Sequence, residues 1–453
     1  MNGLFKKLNQ SKIFKDLTPE EFSWVLYDVG NSAFTMLACS LVPVWFSNLV
    51  LATGANQLTA TSMWGYVQAG VTVILVLVGP ALGAIADHKD TRKILFQSAV
   101  FIGVTMCIIT GFAWNWVVFT LMYMLTRLFY SASLTFYDSM LNDVTTDERS
   151  DAVSAYGYAW GYIGSCIPFT LSLACAALGP LMLNIISESL SKILAFAITG
   201  CWWLMVTMPL LKNYKQINYV EGKPHIATAF KKILTTIARI IRQDKKVFFF
   251  LLAFFLYIDG VGTIIDNCVT IGKAVGLNND ILLIIFLLLT QVVAWIGSLV
   301  FARLSKKYKT ITLLSVCIGG YFVGSRYGLF INTMLDFAIL AFIVGCFQGS
   351  IQSLSRSYYS RIIPDENSGE YFGLYDIFST GASVFGSLVI GIVTAKGDPE
   401  TGKMALNLFG KAFEVGSINL AVAMLCIFFL LGFILLRIAD RFPQSDASKG
   451  DIQ

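Results

Sequence analysis

Arg127 and Asp259 stand about eleven and twelve residues inside long apolar runs, where an ionisable side chain costs several kcal/mol unless it is paired or wet. A guanidinium grips a carboxylate through two parallel hydrogen bonds, while an aspartate holds an ammonium or a proton. That combination suits a zwitterion. Asp266 shares a helical face with Asp259, and Ser131 and Asp138 extend the face of Arg127. Asp28, Asn31 and Thr35 fall at i, i+3 and i+7 on one face of the first run. In a later run Gln348, Gln352, Ser355 and Tyr359 recur at steps of four, three and four, a polar stripe on an apolar helix. Each group has a second reading. Asp28 and Asn31 can pair with neighbouring helices to hold a bundle, and Arg127 can form an internal ion pair that binds no solute.

The elements that must position these residues are membrane spans. Of 453 residues, 56% are hydrophobic and 13% charged, with a mean hydropathy of +0.68, against about 25% charged in soluble domains. A hydrocarbon core of roughly 30 Å needs about 20 apolar residues in a helix. Twelve such runs occur, near 22–48, 62–86, 94–114, 116–138, 152–178, 190–211, 247–271, 280–303, 310–330, 335–359, 371–395 and 412–436. Backbone groups in lipid must be satisfied internally, so the spans are helices. The fold class is an all-α integral membrane protein of twelve transmembrane helices in two six-helix bundles. The domains are 1–211, a basic linker 212–246, and 247–453 with a short tail.

Basic residues mark the cytoplasmic side. With both termini inside, internal segments hold 25 of the 33 Lys and Arg, nine of them in 212–246 (Lys212, Lys215, Lys223, Lys231, Lys232, Arg239, Arg242, Lys245, Lys246). The tail contributes Lys6, Lys7, Lys12 and Lys15, and the external links only Lys273, Lys396, Lys403 and Lys411. The net charge of +5 follows from this asymmetry and calls for no nucleic-acid partner. Between Ala227 and Arg242 the residues Phe230, Ile233, Leu234, Ile237 and Ile241 recur at helical steps, so the linker is either an amphipathic helix on the inner leaflet or a solvated connector. Arg326, near an outer end, snorkels. The nine cysteines include no CxxC pair and read as packing residues. No cleavable signal is present. The two histidines, His88 and His225, lie in loops, and no G-x-x-x-x-G-K-[ST] phosphate loop exists. Enzyme chemistry, ATP-driven pumping, metals and cofactors are therefore not expected. No targeting segment is read, and the compact loops and short termini point to a bacterial inner membrane.

The hairpin LGAIADHKDTRK (Leu82 to Lys93) returns 218 positions later as VFARLSKKYKTI, and the same offset sets LNDVTTDERSDAVSAYG beside YSRIIPDENSGEYFGLY. Two six-helix halves in the same orientation, related by an axis along the membrane normal, match the parallel repeat of major facilitator transporters. Gly83, Asp87, Arg92 and Lys93 resemble that superfamily's G-x-x-x-D-R-x-x-x-R-R/K loop, with His88 at the usual first Arg and Ser305 opposite Asp87 in the second copy. WVLYDVGNSAF (Trp24 to Phe34), with Gly30 in place of Ala, resembles the W-x-L-Y-D-x-A-N-S-A-F/Y signature of the vacuole effluxer-like branch, which includes fungal vacuolar amino-acid exporters and bacterial relatives. FQGSIQSLSRSYYSRIIP and GEYFGLYDIF resemble the branch's later motifs.

The resemblance implies that helices one, four, seven and ten line a central cavity, giving Asp28, Asn31, Arg127, Asp259, Asp266, Gln348 and Gln352 as the solute-binding set. It assigns Asp87, Arg92 and Lys93 to a gate closed on the cytoplasmic side. The alternative for that turn is a charged loop that only fixes topology. Arg356 and Asp376, near helix ends, form a second candidate gate pair. The expected activity is secondary active or facilitative transport of a small polar solute, an amino acid first, by alternating access. Protons are the candidate coupling ion, with Asp28, Asp259 and Asp266 as carriers. A monomer is expected, with lipid and solute as partners. The competing functions are a transport-inactive ligand receptor and a lysolipid flippase of the same fold.

Overall fold

The computed structural model describes residues 16–181, 183–222, 226–267, 272, 280–382, 384–394, 403–408 and 411–444. The N-terminal lysines, Lys223, His225, Cys268, Lys273, Lys396 and Lys449 lie outside them. Among the described residues eleven helical segments are long and apolar enough to cross a membrane. The first six spans are α1 (Pro19–Leu51), α2 (Gln57–Ala86), α3 (Thr91–Thr110), α4 (Trp116–Ser139), α5 (Asp147–Ala176) and α6 (Glu188–Asn213). The linker helix α7 (Ile226–Arg242) follows, then α8 (Lys245–Asp266), α9 (Asp280–Leu304), α10 (Thr310–Tyr327) and α11 (Met334–Ile362). In the eleventh span the described residues are helical over α12 (Ser368–Ala382) and α13 (Val384–Thr394), and the twelfth is α14 (Ser417–Met424) with α15 (Cys426–Arg441).

Local chemistry sets the helix starts. Thr18 and Glu21 form a reciprocal capping box at α1, with Pro19 at the first turn. Asn56, Asn115 and Ser187 each accept a backbone N–H at the starts of α2, α4 and α6. The twelfth span begins later than its expected 412 because Lys411–Gly416 pairs antiparallel with Lys403–Leu408 as a hairpin, β1 and β2. Only two residues separate these runs and the second is Gly410, a pattern that favours a hairpin over a helix.

The chain groups into two compact units, one from Met1–Ile237 with Ile363–Ile377, the other from Ala238–Ile362 with Phe378–Gln453. In the first, α1 packs on α6, α3 on α4 and α6, and α2 on α4; in the second, α8 packs on α15, α10 on α11 and α15, and α9 on α11. Counted by span, these are the same neighbour pairs in each unit, as a duplicated bundle requires. Trp24, Tyr27, Phe34, Tyr137 and Trp203 are fully buried in the first unit, and Tyr257, Phe250, Tyr359 and Phe429 in the second. Large apolar side chains such as Leu77, Phe101, Leu121 and Ile296 are exposed on the helices, the surface that lipid covers.

The linker helix exists, but its apolar residues divide. Ile233, Thr236 and Ile240 are buried, while Leu234 and Ile241 are exposed. Cys107 and Cys317 are buried packing residues, whereas Cys39 and Cys201 are exposed.

Candidate solute path and gate

The first-span signature is a row of rungs between α1 and α4. The Trp24 indole donates to the Tyr137 carbonyl at 3.0 Å and stacks on its ring at 4.4 Å between centroids. Tyr27 and Ser133 hydroxyls meet at 2.6 Å. The Tyr137 phenol donates to Asp28 at 2.8 Å, and Asn31 Nδ2 lies 3.4 Å from the same carboxylate. Tyr130 serves Thr35 at 2.6 Å and Asn31 at 3.5 Å. Positions three and four apart on α1 thus meet positions three and four apart on α4, the register that adjacent helix turns allow. Asp28 and Asn31 are both buried in this row. In the second unit Tyr257 and Ser355 make the corresponding 2.6 Å bond between α8 and α11. The Tyr and Ser rivet is therefore present in both copies, while Asp28 is replaced by Ile258.

Another face of α4 carries Arg127, Ser131 and Thr135 at four-residue steps. Asp376 on α12 accepts from Thr135 Oγ1 at 2.6 Å and Ser131 Oγ at 3.3 Å. The Arg127 guanidinium, one turn along, sits 5.8 Å from the Tyr130 ring centroid and is near enough for its charge to act on Asp376. Arg356, which the sequence pairs with Asp376, lies in the second unit; within the first unit the Asp376 carboxylate is held by these α4 hydroxyls.

In the second unit Asp259 is fully buried on α8, with the Gly386 backbone beside its carboxylate. Asp266 is exposed at the C-terminal end of α8. Gln348 and Gln352 are half-buried on α11, and Gln352 donates to the Gln348 carbonyl at 3.2 Å. Arg356 is buried towards the end of the same helix.

Asp87 and Arg92, which the sequence offers as gating residues, form one buried network inside the first unit. Asp90, in the left-handed region at φ 58°, turns the chain so that Arg92 faces back to Asp87. Arg92 spans two carboxylates, with Nη2 at 2.8 Å from Asp87 and Nη1 at 2.8 Å from Asp143. It also donates to Ser368 Oγ at 2.9 Å and the Ser139 carbonyl at 3.3 Å. Asp87 in turn accepts from the backbone N–H groups of Gly369 at 2.7 Å and Glu370 at 2.9 Å. A carboxylate thus caps the start of α12, where unpaired N–H groups and the helix dipole favour negative charge. The crossing is close because Gly83 faces Gly369: a Cβ on Gly83 would collide with the Gly369 carbonyl. Lys93 reaches away, donating to the Tyr214 carbonyl at 2.8 Å.

Asp143, Ser368, Tyr214 and Asn218 belong to this network and were not singled out from sequence. Asp143 is one of several carboxylates in LNDVTTDERSD, and only its position four residues past Ser139, at the end of the fourth span, marks it. Burial holds the Tyr214 phenol well above its ordinary pKa, so it stays protonated and donates to Asp143.

Residues 18–441 match the family model described as vacuole effluxer Atg22 like. The chain is 37% identical over 441 residues to a Bacillus subtilis (strain 168) protein described as an uncharacterized MFS-type transporter, YxiO, covering 96% of this chain and 98% of that one. It is 26% identical over 270 residues to autophagy-related protein 22-1 of Penicillium rubens, a match spanning 54% of this chain and 44% of the relative. Among solved structures, the human organic anion transporter MFSD10 superposes with a TM-score of 0.69 at 13% identity, covering 91% of this chain and 97% of that one. The proton:xylose symporter XylE gives 0.69 at 11%, covering 93% and 95%. These two likenesses speak to the fold. Family model and full-length relative agree with the residues described above: the chain belongs to the vacuole effluxer Atg22-like family and is a major facilitator transporter, not an enzyme.

Proposed function

We propose that the protein moves a small polar solute, an amino acid first, by alternating access, coupled to protons. Its place is a bacterial inner membrane, as a monomer with both termini cytoplasmic, an orientation supported by the basic excess in the internal segments. The observation that carries the reading is the α4 column, in which Arg127 stands at one end of a line of hydroxyls on a membrane helix. A guanidinium kept there suits a solute carboxylate. Asp259, fully buried with only the Gly386 backbone beside its carboxylate among the described residues, supplies a carboxylate for an ammonium or a proton. Gln348 and Gln352 add polar contacts, and Asp266 extends the same face of α8. Asp28 and Asn31 bind solute only in part, since their row of partners also holds α1 against α4. Asp87, Arg92 and Lys93 hold the gate, with Arg356 and Asp376 as further gating residues.

Purified protein in proteoliposomes, loaded or bathed with labelled amino acids, tests this. Arg127→Ala and Asp259→Asn are each expected to abolish flux without lowering membrane yield. Normal flux in both variants overturns the assignment.

A further inference from the structure

The segment between α6 and α7 does more than connect helices. Asp143 Oδ1 accepts from the Asn218 backbone N–H at 2.8 Å, Asn218 Nδ2 at 3.0 Å and the Ile217 N–H at 3.3 Å, while the Tyr214 hydroxyl donates to Oδ2 beside Arg92. Four of the five donors around this carboxylate in the described structure therefore come from residues 214–218, and one from Arg92. Gln216 takes the Arg92 backbone N–H at 3.3 Å and donates to the Ala86 carbonyl at 3.2 Å. The Val220 N–H closes on the Asp87 carbonyl at 2.8 Å, and Lys89 lies 5.3 Å from the Tyr219 ring centroid. None of these contacts touches α12.

We infer that residues 214–220 are a positioning strap for the gate: by fixing Asp143 and the backbone of Asp87 and Arg92, they aim the guanidinium and the Asp87 carboxylate at the start of α12. Tyr214 and Asn218 act through Asp143, and Gln216 through the Arg92 backbone. A carboxylate saturated on one side by fixed donors cannot rotate away, so Arg92 meets it in one geometry. The linker thus becomes a handle on the gate, and anything that lifts residues 214–220 loosens the cap on Gly369 and Glu370. This rests on reading the Asp87 and Arg92 network as the gate.

The test is hydrogen–deuterium exchange of the full-length protein in nanodiscs, read at the backbone amides of residues 368–371. Tyr214→Phe with Asn218→Ala is expected to speed exchange there by about tenfold or more, although neither residue contacts that segment. A strap with a merely local structural role would speed exchange in 214–220 alone, and that result overturns the inference. Arg92→Ala is the reference: if it too leaves 368–371 unchanged, the gate reading itself fails. If Arg92→Ala accelerates exchange and the strap variants do not, only the strap is refuted. Should the double variant fail to fold, Tyr214→Phe alone removes one hydroxyl and is expected to give at least about a threefold acceleration; an unchanged rate in the folded single variant counts against the strap.

Discussion

Tyr137→Phe deletes one oxygen and keeps the ring that stacks on Trp24 at 4.4 Å, so it isolates the bond to Asp28. That bond is 2.8 Å long, between two buried side chains, and Asn31 donates to the other carboxylate oxygen at 3.4 Å. Hydrogen bonds to a charged group contribute about 1.5–3 kcal/mol. Tyr137→Phe should therefore lower unfolding free energy by about 1.5–3 kcal/mol. A double-mutant cycle with Asp28→Asn separates this pair from other contacts of either residue. The coupling, measured by reversible unfolding in mixed micelles, should be at least about 1 kcal/mol. A coupling near zero would refute the view that Asp28 holds α1 against α4, and would return it to the solute path as its main role. The same variants assayed for flux divide the two roles: a structural Asp28 leaves transport by the folded fraction intact.

Gly83→Ala places a methyl against the Gly369 carbonyl, an overpacking that costs about 1–3 kcal/mol, and should speed trypsin cleavage near Arg361 as the start of α12 is pushed off; unchanged cleavage in a folded variant counts against the close crossing. Tyr27→Phe and Tyr257→Phe each remove a 2.6 Å rivet and should destabilise by about 0.5–1.5 kcal/mol alike, measured by thermal melts in detergent, with additive effects expected in the double variant because each bond lies within its own unit. Arg127→Lys keeps the charge but loses the two-pronged geometry, so half-saturating solute should rise about tenfold or more in proteoliposomes with flux retained at high concentration. Wild-type saturation there would remove Arg127 from carboxylate binding.

The spans were legible because runs of about 20 apolar residues leave lipid-compatible helices as the satisfied backbone arrangement, and the Asp87 to Lys93 turn because basic residues interrupt those runs. What sequence withheld was register across helices. Nothing local says that Tyr137 meets Asp28, that Asp376 faces Thr135, or that Asp143 completes the grip on Arg92. The strap residues Tyr214 to Asn218 carry no periodicity, since each is aimed by a tertiary partner. In the hairpin, Lys403–Leu408 read as a link and 412–416 as the start of the twelfth span, because two six-residue strands are too short to show a period beside an apolar run. Ser133 and Tyr137 reappear as Ser355 and Tyr359, so the duplication is deeper than the hairpins first showed, at an offset of 222 rather than 218.

The carboxylate that caps α12 waits for amides 282 and 283 residues further along the chain. During synthesis the first six helices enter the bilayer long before Gly369 and Glu370 are made, so Asp87 has Arg92 at hand but no helix to seal. The cap on α12 is thus among the last contacts formed in biogenesis, and a chain halted before Ser368 would leave the translocon with the Asp87 carboxylate held by its own half alone.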